Sequence, residues 1–170
     1  MAHNKQASFM RSLCMGQIEE DLIIPFPKMK DNELGVVRDI LPTIDNWLKD
    51  KGQDFRKWDR QGELPVEFIE EMKQLGLFGV IIPEEYGGLG LGATAYSRVL
   101  QQVARHDGSV AITAGAHSSI GMRGLLLFGT PEQKKKYMPK LASGEMIAAF
   151  CLTESGAGSD AASITTKVAQ

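Results

Sequence analysis

The stretch Ala148-Ala149-Phe150-Cys151-Leu152-Thr153-Glu154-Ser155-Gly156-Ala157-Gly158-Ser159-Asp160 concentrates the chemistry of this chain. Its first half is a short apolar run of the kind that forms a buried strand. Its second half is a run of small residues closed by an acid, and small residues let a backbone approach a ligand closely. Backbone N–H groups and hydroxyls in such a turn suit an anion such as a phosphate or pyrophosphate. Gly, Ser and Asp also build ordinary strand-to-strand turns, so both readings stand at this level. The Thr153 hydroxyl can donate and accept. Glu154 beside it is the tempting general base. Strand alternation turns it away from Thr153, and we read it as a turn acid that orients backbone or neighbouring donors.

A second constellation invites a different chemistry. Gly88-Leu89-Gly90-Leu91-Gly92-Ala93 satisfies GxGxxA, opens a helix and has Asp107 further on, which is a dinucleotide fingerprint on paper. The fingerprint needs a strand feeding directly into the glycines, and Pro83-Glu84-Glu85-Tyr86 intervenes. Those carboxylates would repel a pyrophosphate, and no second βα unit follows. We therefore read this piece as a loop between helices. The histidines His3, His106 and His117 make no metal-ligand spacing with Cys14 and Cys151. His117 lies within an apolar stretch and reads as a hydrogen-bonded core residue. Lys134-Lys135-Lys136 reads as a solvated helix face, with a contact to an anionic ligand as the alternative.

These residues need a frame, and the pattern predicts a helical one. Val37, Ile40, Leu41, Ile44 and Leu48 recur at helical spacing, with a kink or restart expected at Pro42. Residues 50–63 are polar and Gly-punctuated and read as a surface connection. Pro65 suits the first position of a helix bearing Phe68, Met72 and Leu75, which Gly76 ends. Tyr96, Val99, Leu100 and Val103 form one amphipathic face. Residues 110–128 are apolar nearly all round, which predicts a buried central helix whose small residues admit neighbours or a fatty chain. Thr130-Pro131-Glu132-Gln133 is a capping box with Pro at the first helical position, and Pro139 is expected to end that helix. Met146–Thr153 and Ser163–Val168 alternate and branch like strands.

Composition sets the outer limits. The chain has 170 residues and is 43% hydrophobic, enough for one domain with a sizeable core. Its 19 basic and 21 acidic residues balance, which argues against nucleic acid as a bulk partner. No apolar run approaches the roughly 20 residues of a membrane helix. Two separated cysteines without a CxxC suggest a reducing compartment. Lys5 and Arg11 without an acid near the start raise a transit peptide. We discount it, because Ser8–Leu13 and Gly16–Ile18 resemble the start of mature chains in the family to which the other motifs of this sequence point.

Several separated motifs agree with one family. Phe150–Glu154 with Gly158-Ser159-Asp160 resembles the signature of the acyl-CoA dehydrogenases. So do Gly76-Leu77-Phe78-Gly79, Pro83-Glu84-Glu85-Tyr86-Gly87-Gly88, His117-Ser118-Ser119-Ile120-Gly121 and Leu141-Ala142-Ser143-Gly144-Glu145. The wording is nearest the very-long-chain branch and runs from about Ser8 to Thr166. Ser155 stands where the family usually has Pro, which loosens the turn entry and removes no ligand group. The resemblance implies a mainly α fold: an extended arm over 1–32, a helical N-terminal domain over 33–145, and the first strands of a middle β-domain over 146–170. It also implies non-covalent FAD and oxidation of fatty acyl-CoA thioesters. Phe150, Cys151, Leu152 and Thr153 would line the flavin. Gly158 and Ser159 would meet its pyrophosphate, and Ser159 the CoA side.

By the same resemblance the catalytic Glu and the C-terminal bundle lie beyond Gln170. The chain alone is then expected to be inactive, with no catalytic residue of its own. The expected partners are acyl-CoA, an electron-transfer flavoprotein and further copies in a complete homo-oligomer. The expected location is cytoplasmic, or the mitochondrial matrix in a eukaryote. The competing reading is a non-catalytic helical binding module that keeps the fold.

Overall fold

The structure, a computed structural model, describes residues 8–167. In chain order the helices are α1 (Phe9–Cys14), α2 (Asp31–Leu48), α3 (Gly52–Gln61), α4 (Val66–Gln74), α5 (Ala93–Ala104), α6 (Gly108–Ala116), α7 (Arg123–Phe128) and α8 (Pro131–Ser143). A single π turn, His117–Gly121, joins α6 to α7.

The helical face read from the sequence is the face that packs. Val37, Ile44 and Leu48 of α2 meet Ala95, Val99 and Val103 of α5, and α6 adds Val110, Ala111 and Ala114. Phe68 of α4 anchors the other end of this core. Its ring stacks on Trp47 at 4.9 Å and lies 4.7 Å from Trp58. A smaller core of Ile82, Met122, Met138, Leu141 and Ala142 joins α7 and α8 to the turn at 82–86, and Ala148 packs against it.

Polar contacts, one of them buried, pin the elements together. Glu33 is 4% exposed. Its carboxylate accepts the Lys30 N–H at 3.2 Å and, from across the fold, the Gly92 N–H at 2.7 Å. Gly92 is the N-cap of α5, so Glu33 places a carboxyl at the positive end of that helix. His106 Nε2 lies 2.9 Å from the Asp45 carboxylate and ties the end of α5 to α2.

Several expectations are corrected. The polar segment 50–63 is not a bare connection, because it contains α3. Phe55 and Trp58 are spaced to share one helical face and pack on Phe68. Pro42 and Pro139 interrupt nothing: α2 and α8 run through them. Each proline is exposed, and burial of Ile44 and Leu48, or of Leu141 and Ala142, carries the helix onward. Gly144, at φ 76°, is what ends α8. Pro65 caps α4 from one position before it. The arm is not wholly extended, since Ser8 caps α1 within it. The stretch 110–128 is three pieces rather than one buried helix, and Ile112 and Phe128 are 71% and 86% exposed.

The expected strands at 146–153 and from Ser163 onward do not form a ladder. Among the described residues there is only the isolated bridge Glu154–Ala157. A strand needs a neighbour to take its N–H and C=O groups, and the described residues supply none. Val168 lies outside the described residues.

Candidate functional site

The fingerprint-like glycines are committed to holding the fold. Leu89 N–H donates to Gly79 O, Gly90 N–H to Ile82 O and Leu91 N–H to Val80 O, all within 2.8–2.9 Å. With Gly92 N–H on Glu33, this loop offers no cradle of N–H groups to a pyrophosphate. A Cβ on Gly88 would overlap the Ile82 carbonyl oxygen, so glycine is required there by backbone-on-backbone packing.

The motifs scattered along the sequence converge. Gly88 Cα packs on Gly79, and Gly79 lies against the Ala142 carbonyl. Phe78 meets the His117 ring edge-on at 5.1 Å. His117 is 1% exposed, and its Nε2 lies 3.1 Å from Leu141 O while Nδ1 is 3.0 Å from Ala148 N. The Ala148 N–H can only donate, so Nδ1 is the acceptor and Nε2–H donates to Leu141 O. Burial holds this imidazole below its ordinary pKa and therefore neutral. The expected core histidine is thus a satisfied one.

From Ala148 the chain runs into the predicted site. Phe150, Cys151, Leu152, Thr153, Gly158 and Ser159 are all exposed. The bridge Glu154–Ala157 closes a turn, with Glu154 N–H on Ala157 O at 2.9 Å. That turn brings Thr153 Cγ2 to 3.7 Å from where a Cβ on Gly158 would lie. The Thr153 and Ser159 hydroxyls and the Gly158 and Ser159 N–H groups make no hydrogen bond to other described residues. Thr153, Gly158 and Ser159 therefore gather on one turn, whereas Phe150, Cys151 and Leu152 lie along the approach to it.

Glu154 has another task. Its carboxylate accepts from Thr165 N–H, Thr165 Oγ1 and Thr166 N–H at 2.8–3.0 Å. Hydrogen bonds from Thr166 and Thr165 hold its pKa at about 2. A carboxylate so stabilised is a weak proton acceptor, in keeping with its reading as a turn acid.

Comparison with known proteins now decides the family. Residues 37–145 match the model described as Acyl-CoA dehydrogenase, N-terminal domain. The chain belongs to the acyl-CoA dehydrogenase family. It is 42% identical over 171 residues to the human mitochondrial very long-chain specific acyl-CoA dehydrogenase, covering 97% of this chain and 25% of that protein. Among solved structures, a Bacillus anthracis acyl-CoA dehydrogenase complexed with FAD is similar with a TM-score of 0.64 at 37% identity, over 81% of this chain and 23% of the other. Butyryl-CoA dehydrogenase from Megasphaera elsdenii gives a TM-score of 0.71 at 30% identity, over 82% and 37%. The chain thus spans about a quarter of the curated relative. No helix among the described residues is long and apolar enough to cross a membrane.

Two site participants were missed in the sequence: Thr165 and Thr166, which hold Glu154. Neither stands near it in the chain, and no spacing rule links them. Only the fold of residues 154–166 shows the contact.

Proposed function

We propose that this chain serves an FAD-dependent acyl-CoA dehydrogenase that oxidises fatty acyl-CoA thioesters in β-oxidation. Residues 31–143 are the helical body, and residues 148–160 face the flavin. The observation that carries this reading is the Thr153–Ser159 turn, placed on the segment that bears the family signature. Its donor set fits the group: two hydroxyls and two uncommitted N–H groups suit a polar flavin edge and a pyrophosphate.

FAD, when bound, supplies the two-electron acceptance that side chains lack. Thr153 would orient the polar edge of the ring through its hydroxyl, and Phe150, Cys151 and Leu152 would line it. Gly158 would let the backbone close on the pyrophosphate, while Ser159 would donate to it and reach the CoA side. Glu154 fixes the turn through Thr165 and Thr166 and takes no proton from substrate. By family resemblance the base belongs to a later helical bundle. The partners proposed are acyl-CoA, an electron-transfer flavoprotein and further copies of the complete protein, in the cytoplasm or the mitochondrial matrix.

The test is to purify residues 1–170, add excess FAD, and assay enoyl-CoA formation with an artificial electron acceptor across acyl lengths. We expect no turnover from this chain alone, and restored turnover on adding the remaining domains of a very-long-chain relative. Turnover by residues 1–170 that disappears in Glu154→Gln would overturn the role given to Glu154. Failure of the reconstituted protein to bind FAD would overturn the reading as a whole.

A further inference from the structure

The proposed flavin segment has no strand partner among the described residues, so its place must be set where it leaves the helical body. That point is Ala148. Two contacts meet there. The Ala148 N–H donates to His117 Nδ1 at 3.0 Å. The Ala148 side chain and carbonyl lie so close to Gly121 that a Cβ there would fall 2.8 Å from Ala148 Cβ and 2.9 Å from its oxygen. Both partners belong to the π turn His117–Gly121. Such a turn inserts one residue into a helix and re-aims the side chains around it.

The two imidazole bonds are not equivalent. Leu141 O also accepts the Gly144 N–H at 3.3 Å, so it keeps a partner without His117. Among the described residues the Ala148 N–H has only Nδ1. In any extended segment successive side chains alternate in direction, so a slip of one residue exchanges the faces they present. Thr153 lies five residues beyond Ala148, about 17 Å in an extended chain.

We propose that His117 is a positioning residue that, with Gly121, registers the flavin segment at Ala148 and so sets which side chains from Phe150 to Thr153 face the cofactor. This use of the joint rests on the flavin reading above. Its essential atom is Nδ1 as acceptor. Asn at this position offers a carbonyl oxygen at the same bond distance, whereas Gln reaches instead toward Leu141.

The experiment is amide hydrogen exchange on the 170-residue chain and its His117→Asn, His117→Gln and Gly121→Ala variants, with thermal melts as folding controls. In the unsubstituted chain the Ala148 amide is expected to be protected. His117→Asn should retain that protection within about threefold, and His117→Gln should lose about tenfold, the scale of one hydrogen bond. Gly121→Ala should lose it as well, while α5 amides stay protected. An unprotected Ala148 in the unsubstituted chain, or equal loss in the Asn and Gln variants, would overturn the proposal. If either His117 variant fails to fold, the Gly121→Ala comparison decides, and unchanged Ala148 protection there overturns it. A separate FAD titration follows the amides of residues 150–159 in the protein completed with a relative's remaining domains. If Ala148 obeys the pattern and those amides ignore FAD, the joint stands and the flavin reading falls.

Discussion

At the scale of single residues, the site separates into groups that face outward and groups already engaged. Thr153 is exposed and its hydroxyl bonds to no other described residue, whereas Glu154 spends its carboxylate on Thr165 and Thr166. In the completed protein we expect Thr153→Ala to weaken flavin retention by about 1 kcal/mol, one net hydrogen bond, or to shift the flavin spectrum. Unchanged flavin content and spectrum would remove Thr153 from the site. The Glu154 pKa is lowered from 4.5 to about 2. Its contacts therefore add stability above about pH 4.5, and that contribution disappears as the pH falls through about 2. A carboxyl-carbon NMR titration should show Glu154 titrating near 2, with the Thr165 and Thr166 amides moving at the same midpoint. A midpoint at the ordinary carboxylate value would refute the engaged geometry. The chemistry of both residues was legible from their types, but the threonine partners were not, because they approach only through the fold.

At the scale of elements, packing decided what local pattern left open. The phenyl ring of Phe55 and the indole of Trp58 turn a charged, Gly-bounded segment into α3 by lying on Phe68. The glycine-rich loop before α5 is built on carbonyl contacts rather than on a ligand, so its glycines are structural. Gly88→Ala forces a Cβ onto the Ile82 and Gly79 carbonyls and should cost on the order of 3 kcal/mol. Urea denaturation read by circular dichroism would measure it, and a loss below about 1 kcal/mol would contradict the close approach. Limited proteolysis offers a wider check on the same elements. First cuts should fall between α1 and α2 or after Ser143, with α3 cut later because Phe55 and Trp58 are packed. Rapid cleavage inside α6, whose Val110 and Ala114 are 0% and 1% exposed, would contradict that packing.

At the scale of the whole molecule, the exposed apolar residues stand out. Ile112, Ile120, Leu127 and Phe128 are all more than half exposed, and Ile112 edges an apolar groove that Leu100, Ala104 and Ala116 also line. Exposed patches of this kind favour association. We expect residues 1–170 to self-associate with rising concentration, and Ile112→Ser with Phe128→Ser to reduce this in sedimentation velocity. Monomeric behaviour at all concentrations would show that the patch is tolerated in water.

What the sequence by itself determined is what short-range chemistry encodes. The spacing Val37–Ile44–Leu48, the Tyr96–Val103 face, the Thr130–Gln133 capping box and the stop at Gly76 each depend on neighbours within two turns, and each formed as read. The signature motifs named the family for the same reason: residue identities survive without knowledge of their contacts. Three matters needed the tertiary structure. Helices α2 and α8 pass through Pro42 and Pro139 because burial further along outweighs one lost backbone bond. Segment 146–153 stays unladdered because pairing requires a second strand. Phe78, His117, Leu141 and Ala148 meet at one joint across some seventy residues, and a contact at that separation is set by how helices pack, which no local pattern records.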